Sequence, residues 1–283
     1  MNGIILTNRY YLDEGMKYLV DRLINSAKKR GVNLTHSTSP IVSCFSVEIG
    51  QADFVIFWDK DVVACSMIES KGIPVFNSSE TIRICDNKTL TYLALKDFDC
   101  LIPSVFSPVC FPVSNNEDNE LIAQVEKLGY PLIVKESTGS LGQQVYLVNN
   151  REELKQKSYE LKGVSHLYQK YVGDEKGTDY RFYIAGNNFV GACKRINTTS
   201  YTSNIASGGK VELYNPSNEE IALALSISKA LKMDFGSVDF IKEKGKLYFV
   251  ETNSNAYFKA IESLGVDIAG KYIDSIISAV NNA

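Results

Sequence analysis

The sequence is poor in the residues that build zinc sites and disulfide frameworks. Its 283 residues include two histidines, His36 and His166, and six cysteines that never form a C-x-x-C pair. A zinc site is therefore not expected, because structural zinc needs four clustered cysteine or histidine ligands. Scattered cysteines without a secretion signal are typical of a reducing compartment, so we expect a cytoplasmic protein.

Long apolar runs and blocks of basic residues are also missing. No apolar run reaches the roughly 20 residues that a membrane-spanning helix needs, so no membrane partner is expected. The net charge of −3, with no lysine- or arginine-rich block, argues against a nucleic-acid partner. The stretch Met1–Arg9 shows no charged leader before a long apolar segment, so no signal peptide is expected. The 283 residues, 45% of them hydrophobic, suffice for a globular protein of two or three subdomains.

Two common nucleotide-binding motifs are absent from a chain that begins as an α/β domain. Predicted strands at Gly3–Thr7 and Ala52–Trp58 alternate with a predicted helix at Asp13–Arg30, which indicates a mostly parallel sheet. A helix over residues 79–97 and a proline-rich connector follow. No G-x-G-x-x-G follows the first strand, and no Walker A sequence occurs, so neither a dinucleotide site nor a P-loop is expected.

The most informative stretch is a predicted β-hairpin near the C-terminus. Two apolar runs, Phe235–Ile241 and Leu247–Asn253, are joined by a lysine-rich turn and are interrupted by Asp239, Glu251 and Asn253. A carboxylate among such neighbours is costly unless a cation compensates it. Glu251 and Asn253 share one strand face, which Asp239 can reach from the partner strand. Such oxygen ligands suit Mg²⁺; the alternative is a half-buried polar strand face.

Three further elements suit a phosphate or nucleotide ligand. Lys135 ends a predicted strand before a Gly/Ser loop at residues 136–142, and a lysine beside loop amides can hold a polyphosphate. Gln169–Val172 could present main-chain groups to an adenine edge. Arg195 suits the charge that develops on a transferring phosphoryl group. Each has an ordinary alternative: a solvated lysine, a hinge and a salt-bridged surface arginine.

The order of these elements is more specific than any one of them. The order along the chain is Asp86-Asn87-Lys88, Lys135 and its loop, Gln169–Val172, Gly177–Arg181, Arg195, Asn204, Asp239 and finally Glu251-Thr252-Asn253. In this respect the sequence resembles the ATP-grasp superfamily and, within it, the RimK-type ligases that add glutamate or a similar amino acid to a carboxylate. The resemblance covers nearly the whole chain and is closest from about Tyr130 to the C-terminus.

The resemblance implies a mixed α/β and α+β architecture. We expect an ATP-grasp fold preceded by an N-terminal Rossmann-like α/β domain. The implied boundaries are 1–87 for the N-terminal domain, 88–173 for the central lobe and 174–283 for the C-terminal lobe.

A nucleotide site between the two lobes is implied as well. ATP would contact Lys88, Lys135, Ser140, Gln169, Lys170, Tyr171, Val172 and Asp179. One or two Mg²⁺ ions, for which Mn²⁺ can substitute, would be ligated by Asp239, Glu251 and Asn253. Arg195 and Asn204 would flank the γ-phosphate and the acylphosphate that the family forms from its carboxylate substrate before an amine displaces the phosphate.

The sequence departs from the family pattern on the acceptor side. Thr202 stands in place of an arginine, and Asn255-Ala256-Tyr257 replaces the usual Ser-Pro-Gly. We therefore take Asn255, Tyr257 and Lys259 as candidates for setting a different substrate.

The implied partners are a small-molecule carboxylate and an amine, or a peptide acceptor, with a homo-oligomer also compatible. Two other functions stay open. One is an ATP-binding regulatory or scaffold protein without turnover, and the other is a small-molecule kinase.

Overall fold

Three β-sheets organise the protein. The computed structural model describes residues 1–10, 12–44, 46–111, 118–139, 142–197 and 209–282. A parallel sheet near the N-terminus is followed by two antiparallel sheets. Ser140, Thr202 and Asn204 lie outside the described residues. No helix within the described ranges combines the length and apolar character needed to cross a membrane.

The N-terminal sheet has the parallel α/β arrangement that the sequence predicts. Its strands are β1 (Asn2–Thr7), β2 (Asn33–Thr38), β3 (Phe54–Trp58) and β4 (Val75–Phe76), in the order β2-β1-β3-β4. Strand β3 is buried along its whole length, which accounts for its continuous apolar sequence. The sequence does not predict the edge strand β2, because Leu34 is its one buried residue and no apolar alternation marks it.

Helices cover both faces of this sheet. Helix α1 (Glu14–Lys28) begins after Asp13, whose carboxylate accepts the Met16 N–H. It shares one apolar core with the C-terminal helix α9 (Ile268–Asn281) against β1 and β3. Helix α2 (Val62–Glu69) packs on the other face. The end of the chain therefore stabilises its beginning.

Two short helices replace the single helix expected over residues 79–97. Helix α3 (Ser79–Cys85) is followed by α4 (Lys88–Ala94), which begins at Asn87 because the Asn87 side chain caps it. The expectation was wrong because the apolar pattern continues across this cap. The new helix start brings the Lys88 main-chain N–H within 2.7 Å of the Ser137 carbonyl of the next sheet.

The central sheet is antiparallel, in the order β5-β8-β6-β7. Its strands are β5 (Ser104–Phe106), β6 (Leu132–Glu136), β7 (Val145–Val148) and β8 (His166–Lys170). Helices α5 (Asn119–Glu126) and α6 (Arg151–Glu160) pack against it through one apolar cluster. Strand β5 lies in the segment that the sequence predicts as a connector, and its short edge position explains why it carries no clear strand pattern.

The C-terminal sheet contains the predicted hairpins. Its order is β11-β10-β9-β12-β13. The strands are β9 (Thr178–Ala185), β10 (Asn188–Ile196), β11 (Lys210–Tyr214), β12 (Phe235–Glu243) and β13 (Lys246–Asn253), and the helices are α7 (Asn218–Ala230) and α8 (Lys259–Glu262). The predicted capping box at the start of α7 is present, with Ser217 and Glu220 in reciprocal hydrogen bonds.

Candidate active site

A buried carboxylate with two arginine partners lies in the middle of the C-terminal sheet. Asp239 is fully buried, and its oxygens accept hydrogen bonds from Arg181 Nε at 2.8 Å, Arg181 Nη2 at 2.6 Å and Arg195 Nη2 at 2.8 Å. Burial opposes ionisation of this carboxyl, but the two guanidinium groups outweigh burial and hold its pKa below the usual value. The cationic partners that we expect for a carboxylate in this apolar hairpin are therefore Arg181 and Arg195.

Strand register places the other two predicted metal ligands beside Asp239. Asp239 lies opposite Glu251 in the hairpin, and Ser237 lies opposite Asn253. Asn253 Nδ2 is 3.4 Å from Asp239 Oδ2. Glu251 is half-buried, and its carboxylate makes no hydrogen bond or ion pair with any residue in the described part of the chain.

Arg195 is held in a fixed orientation by a second carboxylate. Its Nε donates to Asp179 Oδ1 at 2.6 Å, and its Nη2 donates to both Asp179 and Asp239. This bidentate pairing leaves Nη1 without a hydrogen bond to a described residue. The sequence predicts Asp179 as an ATP contact, whereas the structure pairs it with Arg195. Sequence reasoning assigned no role to Arg181. Arg181 lies on β9, directly opposite Asp239 on the antiparallel strand β12.

Two lysines approach the same face from the central sheet. Lys135, on β6, is 8% exposed, and its ammonium group has no hydrogen bond or ion pair with a described residue. Burial lowers the pKa of its ammonium to about 8, although the Glu251 carboxylate partly opposes that shift. Lys88 Nζ donates to the Gly139 carbonyl at 3.3 Å. A buried ammonium without an anion is costly, and a polyphosphate would compensate it.

The oxygen ligands of Glu251, Asn253 and Asp239 suit a magnesium ion, but the Asp239 carboxylate already accepts hydrogen bonds from arginines. Mg²⁺ takes one or two carboxylates together with waters and substrate phosphates. Glu251 has open oxygens and Asn253 offers an amide oxygen, but both oxygens of Asp239 are engaged by arginines. A metal at Asp239 would therefore share a carboxylate oxygen with these arginines or displace one of the contacts to it. In the described ranges no three His, Cys, Asp or Glu side chains cluster as metal ligands, so phosphate oxygens would have to complete the site.

A family comparison agrees with this geometry. The model of the RimK-like ATP-grasp domain matches residues 106–276, which is more than half of the chain. The chain belongs to the RimK-like ATP-grasp family. The family inferred from the sequence is thereby confirmed, and with it the ATP-grasp fold.

Solved structures related to this RimK-like ATP-grasp chain share its fold over nearly their full length. A RimK domain ATP-grasp protein from Sphaerobacter thermophilus superimposes with a TM-score of 0.74 at 20% identity, covering 97% of this chain and 99% of the other. D-alanine–D-alanine ligase from Bacillus anthracis, complexed with ATP, gives 0.72 at 17% identity, covering 100% and 98%.

Relatives with higher identity include two synthases. Human N-acetylaspartylglutamate synthase A is 29% identical over 229 residues, which is 79% of this chain and 57% of the synthase. β-Citrylglutamate synthase B of Danio rerio is 28% identical over 226 residues, which is 78% of this chain and 54% of the synthase. The chain thus spans little more than half the length of these synthases.

The predicted adenine segment of the RimK-like chain divides into two parts. Gln169 is 2% exposed, and its Nε2 donates to the Tyr92 hydroxyl at 2.6 Å, so its side chain supports the fold. The Lys170 main-chain N–H donates to the Pro103 carbonyl. Tyr171 and Val172 follow the end of β8, and their main-chain groups lie beyond its ladder.

The three residues predicted on the acceptor side, Asn255, Tyr257 and Lys259, have different surroundings. Asn255 Nδ2 donates to the Asp59 carbonyl at 2.9 Å, and its buried Oδ1 has no partner among the described residues. The Tyr257 side chain is 36% exposed. Lys259 Nζ lies 5.3 Å from the centre of the Tyr18 ring of α1. Asn255 therefore joins the site to the N-terminal sheet, whereas Lys259 packs toward α1.

A carboxylate to which the sequence gave no role lies just before helix α4. Lys60 Nζ lies 3.0 Å from Asp86 Oδ1, and Asp86 Oδ2 is buried without a partner in the described part of the structure. Burial raises the pKa of Asp86, which Lys60 partly opposes. Asp86 also interacts electrostatically with Lys88 and Glu251, so it belongs to the same charged group.

Proposed function

We propose that the protein is an ATP-dependent carboxylate–amine ligase that forms an amide bond and releases ADP and phosphate. One observation supports this proposal most strongly. The buried ammonium of Lys135 and the carboxylate of Glu251 interact electrostatically, but neither group has a direct hydrogen bond or ion pair with a described residue. A magnesium–polyphosphate ligand compensates both charges at once.

The described residues provide the groups that phosphoryl transfer needs. Lys135 and Lys88 would hold phosphate oxygens of ATP, and the main chain of Tyr171 and Val172 would receive the adenine. Glu251, Asn253 and Asp239 would hold Mg²⁺, which neutralises charge on the phosphates. Arg195 is oriented by Asp179 and presents its Nη1 to charge that develops during transfer.

The proposed reaction has two chemical steps. A carboxylate oxygen of the acid attacks the γ-phosphorus, and the bond to the ADP oxygen breaks, which gives an acylphosphate and ADP. The nitrogen of the amine then attacks the acyl carbon, the carbon–oxygen bond to phosphate breaks, and the nitrogen loses a proton. The protein positions the reactants and offsets their charge.

By analogy with the named synthases, the amine is an amino acid such as glutamate and the acid is a small molecule or a peptide. One or two Mg²⁺ ions, with Mn²⁺ as a substitute, would act in a cytoplasmic protein with lobe boundaries at residues 87/88 and 173/174. Asn204 and Ser140 keep their predicted roles, and a homo-oligomer stays a prediction.

The test is release of ADP and phosphate from Mg²⁺-ATP with pooled carboxylic acids and amino acids. We expect release that requires both pools and falls about 100-fold or more in Glu251→Gln, the size of effect seen when charge stabilisation at a reacting group is removed. Activity retained in that variant would contradict the metal role. A stable phosphorylated product without an amine would indicate a kinase, and ATP binding without release would indicate a scaffold.

A further inference from the structure

Strand β13, which carries the predicted metal ligands Glu251 and Asn253, lies at an edge of the C-terminal sheet. In the order β11-β10-β9-β12-β13 it is the last strand, so its ladder is formed with β12. The outer side of an edge strand presents main-chain N–H and C=O groups, which need other partners when they are buried. In this protein, elements from outside the sheet provide such partners.

The ladder between β12 and β13 is interrupted next to the first of these ligands. Asp239 pairs with Glu251, and the next pair is Phe240 with Phe249. Val250 is therefore an extra residue on β13, which makes this point a β-bulge. A bulge bends its strand and changes the direction of neighbouring side chains. The direction of the Glu251 side chain therefore depends on contacts outside the ladder as well as on β12.

One outside contact lies just before the metal ligands. The Tyr92 hydroxyl, on helix α4, donates to the Phe249 carbonyl at 3.2 Å and accepts from Gln169 Nε2 at 2.6 Å. Tyr92 is 4% exposed, and the Phe249 N–H donates to the Cys100 carbonyl at 2.8 Å. The main chain two residues before Glu251 is thus held on its outer side, and the same hydroxyl contacts the adenine strand β8.

A second outside contact follows the metal ligands. Asn77, directly after β4, is fully buried, and its Nδ2 donates to the Ser254 carbonyl at 2.9 Å and to the Phe235 carbonyl at 3.0 Å. Its Oδ1 accepts the Asp234 N–H at 2.7 Å and the Phe235 N–H at 3.3 Å. One side chain of the N-terminal domain therefore joins the start of β12 to the residue that follows Asn253.

We propose that Asn77 and Tyr92 are positioning residues for the magnesium ligands, because they hold β13 on either side of Glu251 and Asn253. Tyr92 holds the strand two residues before Glu251, and Asn77 holds it one residue after Asn253. Groups that orient metal ligands from outside change metal affinity by about 10- to 100-fold when they are removed. This inference rests on the proposed ligase function and gives the N-terminal domain and helix α4 a part in it.

Binding of a non-hydrolysable ATP analogue measures this effect without turnover. AMPPNP is titrated into the full-length protein by calorimetry, once with excess Mg²⁺ and once with EDTA. The ratio of the two Kd values reports the contribution of the metal to nucleotide affinity, since the two ligands are linked at one site. With Mg²⁺ the wild-type protein is expected to bind the analogue more tightly by about tenfold or more.

Two near-isosteric variants remove the outside contacts. Tyr92→Phe keeps the ring and removes the hydroxyl that donates to Phe249. Asn77→Asp keeps the bonds accepted at β12, but its carboxylate cannot donate to the Ser254 carbonyl. Both variants are expected to lower the gain in affinity from Mg²⁺ by about tenfold, with a much smaller change in the Kd measured with EDTA. Asn77→Ser, which buries no charge, replaces Asn77→Asp if that protein does not fold.

Thr81→Val is the matched control, because Thr81 also makes a buried hydrogen bond from the N-terminal domain to the C-terminal lobe. Thr81 is 1% exposed, and its Oγ1 donates to the Lys232 carbonyl at 2.9 Å, in a segment without a predicted metal ligand. Thr81→Val is expected to unfold at lower urea and to keep the wild-type gain from Mg²⁺. The control therefore separates a loss of stability from a loss of ligand orientation.

The outcomes distinguish this inference from the ligase proposal. A variant at Asn77 or Tyr92 that keeps the wild-type gain overturns the role of that residue and leaves the ligase proposal intact. A Thr81→Val protein that loses the gain to the same extent overturns both roles, since any weakened contact between the domains would then have this effect. A wild-type protein with no gain from Mg²⁺ contradicts the metal site of the proposed function, and the positioning roles fail with it.

Discussion

Replacement of Lys135 by methionine is expected to stabilise the protein while it abolishes nucleotide binding. Lys135 is buried without a hydrogen-bonding or ionic partner in the described structure, and methionine has a similar length without the charge. The site therefore holds a cation that the fold alone does not need. Ligand-binding residues commonly carry such a cost in stability.

The size of the effect follows from the pKa. Burial lowers the pKa of Lys135 from 10.5 to about 8. Between these values the unfolded chain binds more protons than the folded chain, so folding stability rises with pH from about 8 to 10.5 and is lowest below pH 8. A difference of about 2.5 pKa units corresponds to at most about 3 kcal/mol at pH 7, which Lys135→Met would recover.

Urea unfolding at pH 7 and pH 10, together with ATP titration, measures both effects. Lys135→Met is expected to unfold at higher urea than the wild type at pH 7, with a smaller advantage at pH 10, and to show no detectable ATP binding. Lys127→Met is a control at an exposed lysine at the end of α5. A Lys135→Met protein that is less stable than the wild type at pH 7 would refute the reasoning.

Two further variants examine the half-buried Asp234, which directly precedes β12, and the buried Arg181–Asp239 pair. Burial raises the pKa of Asp234 to about 7, so the folded state binds more protons than the unfolded state between about pH 4 and 7, and stability falls as pH rises through that window. Asp234→Asn is expected to unfold at higher urea at pH 8, by at most about 4 kcal/mol, with little difference at pH 4; an equal difference at both pH values would contradict this assignment. Arg181→Met leaves Asp239 with Arg195 as its remaining arginine partner and is expected to cost about 3–5 kcal/mol in urea unfolding, whereas a loss below about 1 kcal/mol would show that Arg181 contributes little.

The sequence predicts those elements whose pattern is local. The hairpin with Asp239 and Glu251 is readable because an apolar run with alternating polar residues can hardly form anything else. The break between α3 and α4 and the edge strands β2 and β5 were missed. Short segments with few buried side chains have too weak a hydrophobic period to be detected.

The partners of the charged residues are harder to predict, because they depend on which strands become neighbours. Arg195 can be identified as a candidate from the sequence, but its pairing with Asp179 exists because β9 and β10 are antiparallel in one particular register. The same register lets Asp179, a predicted ATP contact, also orient Arg195.

The junction with the N-terminal domain illustrates the limit most clearly. Asp59 and Asn255 are far apart in the chain, and no motif links them; the order of the parallel strands and the path of the chain after β13 bring them together. Sequence rules fail most at sites where polar groups are left unsatisfied by the fold, since such groups serve a ligand rather than stability. The buried Oδ1 of Asn255, which has no partner among the described residues, is of this kind.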